Sequence, residues 1–139
     1  MAKKRTARDI MKAPVIIAKE DMFVTDVLGL MARWHISGMP VVDDDGHLVG
    51  MVTGRLVMNS AISGNAARTK VSEVMSKQME IYGPACDLDT PVEDIVNTFT
   101  TSRINRVLVM DSGKVIGIVS RLEIICELDR IYSHFVSKD

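Results

Sequence analysis

Few side chains in this sequence have the type and spacing to do covalent chemistry. His35, His47 and His134 are scattered, with no two at ligand spacing inside one predicted element. Cys86 and Cys126 lack a Cys-x-x-Cys partner and are too few for a disulfide framework, so no metal centre is expected and reduced thiols are. Asp43-Asp44-Asp45-Gly46 superficially suggests calcium, but it lacks the spaced carboxylates and terminal glutamate of an EF-hand loop and reads as a hairpin turn. Gly46, Gly50 and Gly54 mark a turn, a strand and a helix start, not a Walker-type loop. No nucleophile–base pair is present, so no catalytic site is read. What remains is Ser120-x-x-Glu123. Taken alone it is a capping box for the last helix, whose free N–H groups and dipole favour an anion.

The elements that must hold these residues follow from patterning. Thr6 and Asp9 can cap a short helix that Pro14 terminates. Val15-Ile16-Ile17 is an apolar run fit for a buried strand. Val24, Val27, Leu28 and Met31 form one stripe of an amphipathic helix. Gly38 and Pro40 break it, Val41-Val42 begins a strand, and Leu48 to Val52 returns after the aspartate turn. A closing helix spans about Gly54 to Ile62. The order then recurs: a short helix over Val71–Ser76, a strand over Met79–Tyr82, and a helix opened by Thr90 as cap, Pro91 and Glu93. That helix repeats the stripe at Val92, Ile95, Val96 and Phe99. A hairpin turns at Asp111-Ser112-Gly113, and a final helix runs from about Arg121 to Phe135, with Leu128, Ile131, Tyr132 and Phe135 on one side. The methionines fall mostly in stripes and strands, as core filler.

The recurrence is explicit in the letters. Leu48-Val49-Gly50-Met51-Val52-Thr53 returns as Val115-Ile116-Gly117-Ile118-Val119-Ser120, an offset of 67 (117 − 50). Ile36-Ser37-Gly38-Met39-Pro40-Val41-Val42-Asp43 returns as Ile104-Asn105-Arg106-Val107-Leu108-Val109-Met110-Asp111, an offset of 68 (104 − 36). The expected fold class is α/β (α+β): two β-α-β-β-α repeats, 7–62 and 71–132, packed with pseudo-twofold symmetry. They are joined by a linker at 63–70 and flanked by tails at 1–6 and 133–139. A half of this size is marginal for an independent core. The formal net charge of −1 gives no pull toward nucleic acid or an anionic membrane, and Lys3-Lys4-Arg5 reads as a solvated basic tail. No apolar run is long enough to span a bilayer, and Thr6-Ala7-Arg8-Asp9 is not an apolar signal segment; a cytoplasmic location is expected.

At this point the residues resemble the CBS (cystathionine-β-synthase) domain, twice over, as a tandem pair from about Arg8 to Leu128. The resemblance implies a non-enzymatic regulatory module that needs no cofactor and binds an adenosine-containing ligand: AMP, ADP, ATP or S-adenosylmethionine. It places the ligand in a cleft between the repeats. Carried over position by position, it implies that Ser120 meets ribose and phosphate and that Glu123, where the family usually has aspartate, bonds the ribose hydroxyls. Asn105 and Arg106 would face phosphate, a task the Arg fork suits, though Arg106 could equally be a rim cation. Val15 and Ile16 would lie against the adenine with Ser37, Gly38 and Met39 nearby. The symmetric cleft, with Thr53, Leu56, Met79 and Ile81, lacks the acidic residue and is expected to be degenerate. The implied partners are an adenine nucleotide, a second copy of the chain in a homodimer and an unidentified regulated protein, with no nucleic acid and no membrane. A scaffold that binds no nucleotide is the alternative.

Overall fold

The computed structural model describes residues 4–77 and 85–136, with the backbone alone for 134–136. In chain order the elements are α1 (Ala7–Ile10), β1 (Ala18–Lys19), α2 (Val24–Trp34), β2 (Gly38–Val42), β3 (Leu48–Thr53), α3 (Gly54–Ile62) and α4 (Val71–Val74). They continue with β4 (Ala85–Cys86), α5 (Val92–Thr101), β5 (Arg106–Asp111), β6 (Lys114–Ser120) and α6 (Arg121–Val136). Each repeat contributes one three-stranded sheet, with the first strand parallel to the second and the second antiparallel to the third. Even the irregularity is duplicated. The register slips between Val41 and Val42 and again between Val109 and Met110, 68 positions on (109 − 41).

The chain divides in space into Ile16–Tyr82 and a second unit made of Met1–Val15 with Gly83–Asp139. In the first, α2 lays Val24 and Val27, both fully buried, against Met39, Val41 and Val52 of the sheet. Each such side chain contributes roughly 1.5–3 kcal/mol by leaving water. Met31 packs at the margin, while Leu28 stays 37% exposed, so the stripe is narrower than its spacing suggests. In the second unit Ile95 of α5 packs with Val107, Val109 and Val119, and Ala7 and Ile124 complete the cluster.

The leading segments bind by one rule in both units. Lys12 exchanges both backbone hydrogen bonds with Ile118, at 2.8 and 3.1 Å, and Ser76 does the same with Met51, at 2.8 Å each. The preceding methionine then lies on a strand glycine: Met11 on Gly117, Met75 on Gly50. A Cβ at Gly50 would stand 2.7 Å from the Met75 sulfur and 3.1 Å from the Ser76 carbonyl; one at Gly117 would run into the sulfur of Met11. Gly117→Val is therefore expected to cost about 1–3 kcal/mol by overpacking, measured as a lowered urea midpoint. The cost should shrink in a Met11→Ala background. Equal costs in both backgrounds would show that Met11 is not the obstacle.

Several local expectations are corrected. The first strand is Ala18–Lys19, not Val15-Ile16-Ile17, because the ladder to β2 pairs only Ala18 with Val41 and Lys19 with Val42. Met79–Tyr82 lies outside the described residues, and β4 forms at Ala85–Cys86, where a loop was expected. His35, in the left-handed conformation (φ 54°), ends α2, so Gly38 and Pro40 sit within β2 opposite Thr53 and Met51. Thr90 does not cap α5. Its hydroxyl accepts from Asp87 N (3.2 Å) and faces Asp87 Oδ1 (3.3 Å), and Pro91 takes the cap position. The aspartate run is a turn: Asp43 Oδ1 accepts from the backbone N–H of Asp45 and His47, each at 2.9 Å, which lowers its pKa. Ser112 and Gly113, both at positive φ, make the tight turn of the second hairpin.

Arg5 is not part of a solvated tail. Its guanidinium donates to both oxygens of Glu127, at 3.0 and 3.1 Å, and Arg130 donates to the same two oxygens at 3.0 Å each. Glu127 is 4% exposed. Lys4 pairs with Glu93 at the surface, where such a contact contributes little.

Candidate ligand-binding site

The strand–helix junction of the second repeat gathers four of the nine expected ligand contacts, Asn105, Arg106, Ser120 and Glu123. Arg106 opens β5 and pairs in the ladder with Ser120, the last residue of β6. Glu123, in the first turn of α6, turns back on Ser120: one oxygen, Oε1, accepts from both the Ser120 N–H and its Oγ, at 2.7 Å each. The capping box is thus real, and it engages a single carboxylate oxygen; no hydrogen bond to Oε2 is present among the described residues. With respect to the described residues, that oxygen can accept from a ligand hydroxyl.

Arg106 stands beside this pair half-buried, and among the described residues its guanidinium has no carboxylate or other hydrogen-bond partner. Burial without a counter-charge draws its pKa down. A cation so placed favours the arrival of an anion. Asn105 is exposed and its side-chain oxygen accepts from the Arg121 guanidinium at 2.8 Å. Arg121 is a residue the sequence reading passed over, although its place directly after Ser120 put it at the mouth of the same helix.

Of the expected adenine contacts, Val15 belongs to the same unit as Arg106 and Ser120, whereas Ile16, Ser37, Gly38 and Met39 belong to the other. There the matching junction is chemically bare. Gly38 pairs with Thr53 as Arg106 pairs with Ser120, and Thr53 Oγ1 accepts from Leu56 N at 3.4 Å in a simple cap. Leu56 offers no acceptor. Met79 and Ile81, the remaining residues assigned to this cleft, lie outside the described residues.

Hollows among the described residues open on the unit that holds Arg106. One, of about 430 Å³ between β4, β5 and α5, is lined by Cys86, Asp87, Thr90, Asp94 and Thr98 among others, with no cation among the described residues of its lining. Burial pushes the Cys86 thiol pKa up, which disfavours the reactive thiolate. The other, of about 490 Å³, lies at the end of α5 and includes Arg103 and Arg121.

Residues 7–61 and 71–130 each match the model of the CBS domain. The chain belongs to the CBS domain family. As a CBS pair it is similar along most of its length to hypoxic response protein 1 of Mycobacterium tuberculosis, at 28% identity over 120 residues, covering 86% of this chain and 82% of that protein. It also matches an uncharacterised protein of Methanocaldococcus jannaschii, at 48% identity over 52 residues, spanning 37% of this chain and 31% of that relative. Among solved structures, CBSX2 in complex with AMP superposes with a TM-score of 0.76 at 24% identity, covering 91% of this chain and 98% of that one. The CBS domain pair of protein MJ0100, in complex with 5′-methylthioadenosine and S-adenosyl-L-methionine, superposes with a TM-score of 0.71 at 22% identity, covering 99% and 100%. At those identities the likenesses establish the fold. No helix among the described residues is long and apolar enough to cross a membrane.

Proposed function

We propose that this CBS pair is a non-enzymatic regulatory module of the cytoplasm that binds one adenosine-containing ligand per chain, drawn from AMP, ADP, ATP and S-adenosylmethionine. One observation carries the reading: Glu123 commits a single oxygen to its helix cap, beside the half-buried guanidinium of Arg106, which has no partner among the described residues. The free oxygen would receive the ribose hydroxyls and the guanidinium the phosphate or carboxylate of the ligand. Ligand complexes of two structural neighbours, with AMP in one and S-adenosyl-L-methionine in the other, support the class of ligand. The first repeat, with Leu56 and Gly38 at the matching positions, is the degenerate partner. Leaving two ribose hydroxyls unpaired there would cost roughly 1–3 kcal/mol each.

Regulation follows if the ligand prefers one of two conformations of the pair, since only differential affinity can shift a population. The regulated protein is a separate partner. Leu122, Ile125 and Tyr132 on α6 are 59–66% exposed and Leu128 39%, which supports a homodimer through this helix. Phe135, expected on the same side, lies outside the residues whose side chains are described.

Native mass spectrometry with added AMP, ATP and S-adenosylmethionine tests these statements together. One ligand per chain and a dimer mass are expected, and a ligand at 100 times its Kd should add about 2.7 kcal/mol of stability. Two equivalent sites would overturn the degenerate assignment. No binding of any adenosine derivative would leave the ligand-free scaffold as the function.

A further inference from the structure

The N-terminal arm docks on the second repeat by bonds of two kinds, and the chain's own symmetry separates them. The backbone bonds are duplicated. Ala7 and Arg8 donate to the carbonyls of Thr90 and Leu88, at 2.9 and 3.1 Å, and Val92 donates to that of Arg5 at 3.1 Å. In the other unit Val71 and Ser72 donate to Met22 and Glu20, at 2.8 and 3.1 Å, and Val24 to Thr69 at 2.9 Å. The ion pair from Arg5 to Glu127 is not duplicated: Thr69 (5 + 64) and Ser60 (127 − 67) hold the matching positions and carry no charge. An arm of this kind docks without it.

What the pair does reach is the junction of Ser120 and Glu123. Glu127 lies four residues beyond Glu123 on α6, so both project from one face of the helix. Between them Ile124 packs in one core with Ala7 of the arm. Before the turn, Lys12 exchanges backbone hydrogen bonds with Ile118, two residues ahead of Ser120. The arm thus grips β6 just before the junction and α6 just after it. Arg130 also holds Glu127, but it belongs to α6 and turns with it; the Arg5 bonds, at 3.0 and 3.1 Å, tie the helix to the arm.

We infer that Arg5 is a positioning residue for the ligand site: through Glu127 it fixes the rotation of α6 and with it the direction of the Glu123 carboxylate, so that arm and ligand hold each other in place. By linkage, whatever factor the arm adds to ligand affinity, the ligand returns to the docking of the arm. The ligand half of this statement rests on the adenosine reading above; the grip of the arm on the junction does not.

The test is hydrogen exchange of the full chain beside calorimetric titration with AMP, ATP and S-adenosylmethionine. Wild type is compared with Arg5→Gln, Arg5→Lys and Lys4→Gln, the last removing a surface ion pair from the same arm. Arg5→Gln leaves Glu127 bonded to Arg130, and thermal midpoints check that each variant is folded. In Arg5→Gln, exchange over residues 118–124 should quicken about tenfold beyond any change in β5, and the ligand that wild type binds should weaken about tenfold. Arg5→Lys should fall between, and Lys4→Gln should match wild type. Ligand should slow exchange at the Ala7, Arg8 and Lys12 amides of wild type. A rise spread equally over β5, α5 and the junction would reduce Arg5 to a stabilising residue and overturn the proposal. So would an unchanged junction, or an affinity that Arg5→Gln leaves intact. A junction that loosens in Arg5→Gln alone, while wild type binds none of the three ligands, supports the grip of the arm and overturns the adenosine reading.

Discussion

Glu127→Ala should destabilise the unit that carries Arg106 by about 3 kcal/mol, the low end of what removing one partner from a buried ion pair costs. The low end applies because the side chains of the two arginines left behind are 42% and 54% exposed and can be rehydrated, whereas Glu127 itself is at 3%. Four hydrogen bonds end on this carboxylate, two from Arg5 and two from Arg130. Hydrogen bonds from Arg130 and Arg5 outweigh the desolvation of the acid and hold its pKa at about 2, against an ordinary 4.5. The sign of the pH dependence follows. A carboxylate whose pKa falls on folding stabilises the fold above its unfolded pKa and loses that contribution as pH drops through its folded one. The gap in denaturation free energy between wild type and Glu127→Gln should be constant from pH 7 to about 5, then close between pH 4.5 and 2. A gap that persists at pH 2 would mean that the ion pairs are not its source.

Glu123→Leu, which gives the second repeat the chemistry of the first, should weaken adenosine-ligand binding by about a hundredfold. Hydrogen bonds to a charged acceptor contribute roughly 1.5–3 kcal/mol each, so losing even one such bond with its partner hydroxyl costs one to two decades in Kd. The substitution also removes the helix cap, worth about 1 kcal/mol of stability. Glu123→Gln separates the two effects, because its amide oxygen can still accept from the Ser120 N–H and Oγ. Binding that falls with glutamine while the melting temperature holds places the loss at the ligand. A melting temperature that falls in step with affinity for both variants would reduce Glu123 to a capping residue. The measurement is calorimetric titration beside a thermal melt of each protein.

How much of this could be read from the letters depended on distance along the chain. The helices, the hairpin turns and the Ser120–Glu123 cap are set by neighbours within four residues, and pattern reveals such contacts. The two-residue strands escaped, since Ala18–Lys19 and Ala85–Cys86 are too short to show alternation and are defined only by their partners in β2 and β5. Thr90 was misread because a hydroxyl before Pro91 can serve either the helix or the turn behind it, and Asp87 won. Arg5 was misread for the plainest reason: its partner lies 122 residues away. The site was half legible. Repeat alignment set Gly38 in the place of Arg106 and Thr53 in that of Ser120, and the ladders add what it did not show, that Arg106 pairs with Ser120 and Gly38 with Thr53. Arg121 was overlooked despite its place directly after Ser120, and Arg103 gave no signal because only the fold brings the end of α5 beside the start of α6.

The segment ending at Met11 and Lys12, from the first repeat, seals the sheet of the second, and the segment ending at Met75 and Ser76, from the second repeat, seals the sheet of the first. The unit that was copied in evolution and the unit that is physically closed are therefore different stretches of polypeptide. A lone ancestral copy would have had to fold its own arm back or trade arms with a sister molecule. Tandem fusion would make such an exchange intramolecular, and cutting the present gene at the repeat boundary would leave each sheet without the strap that now covers its glycine.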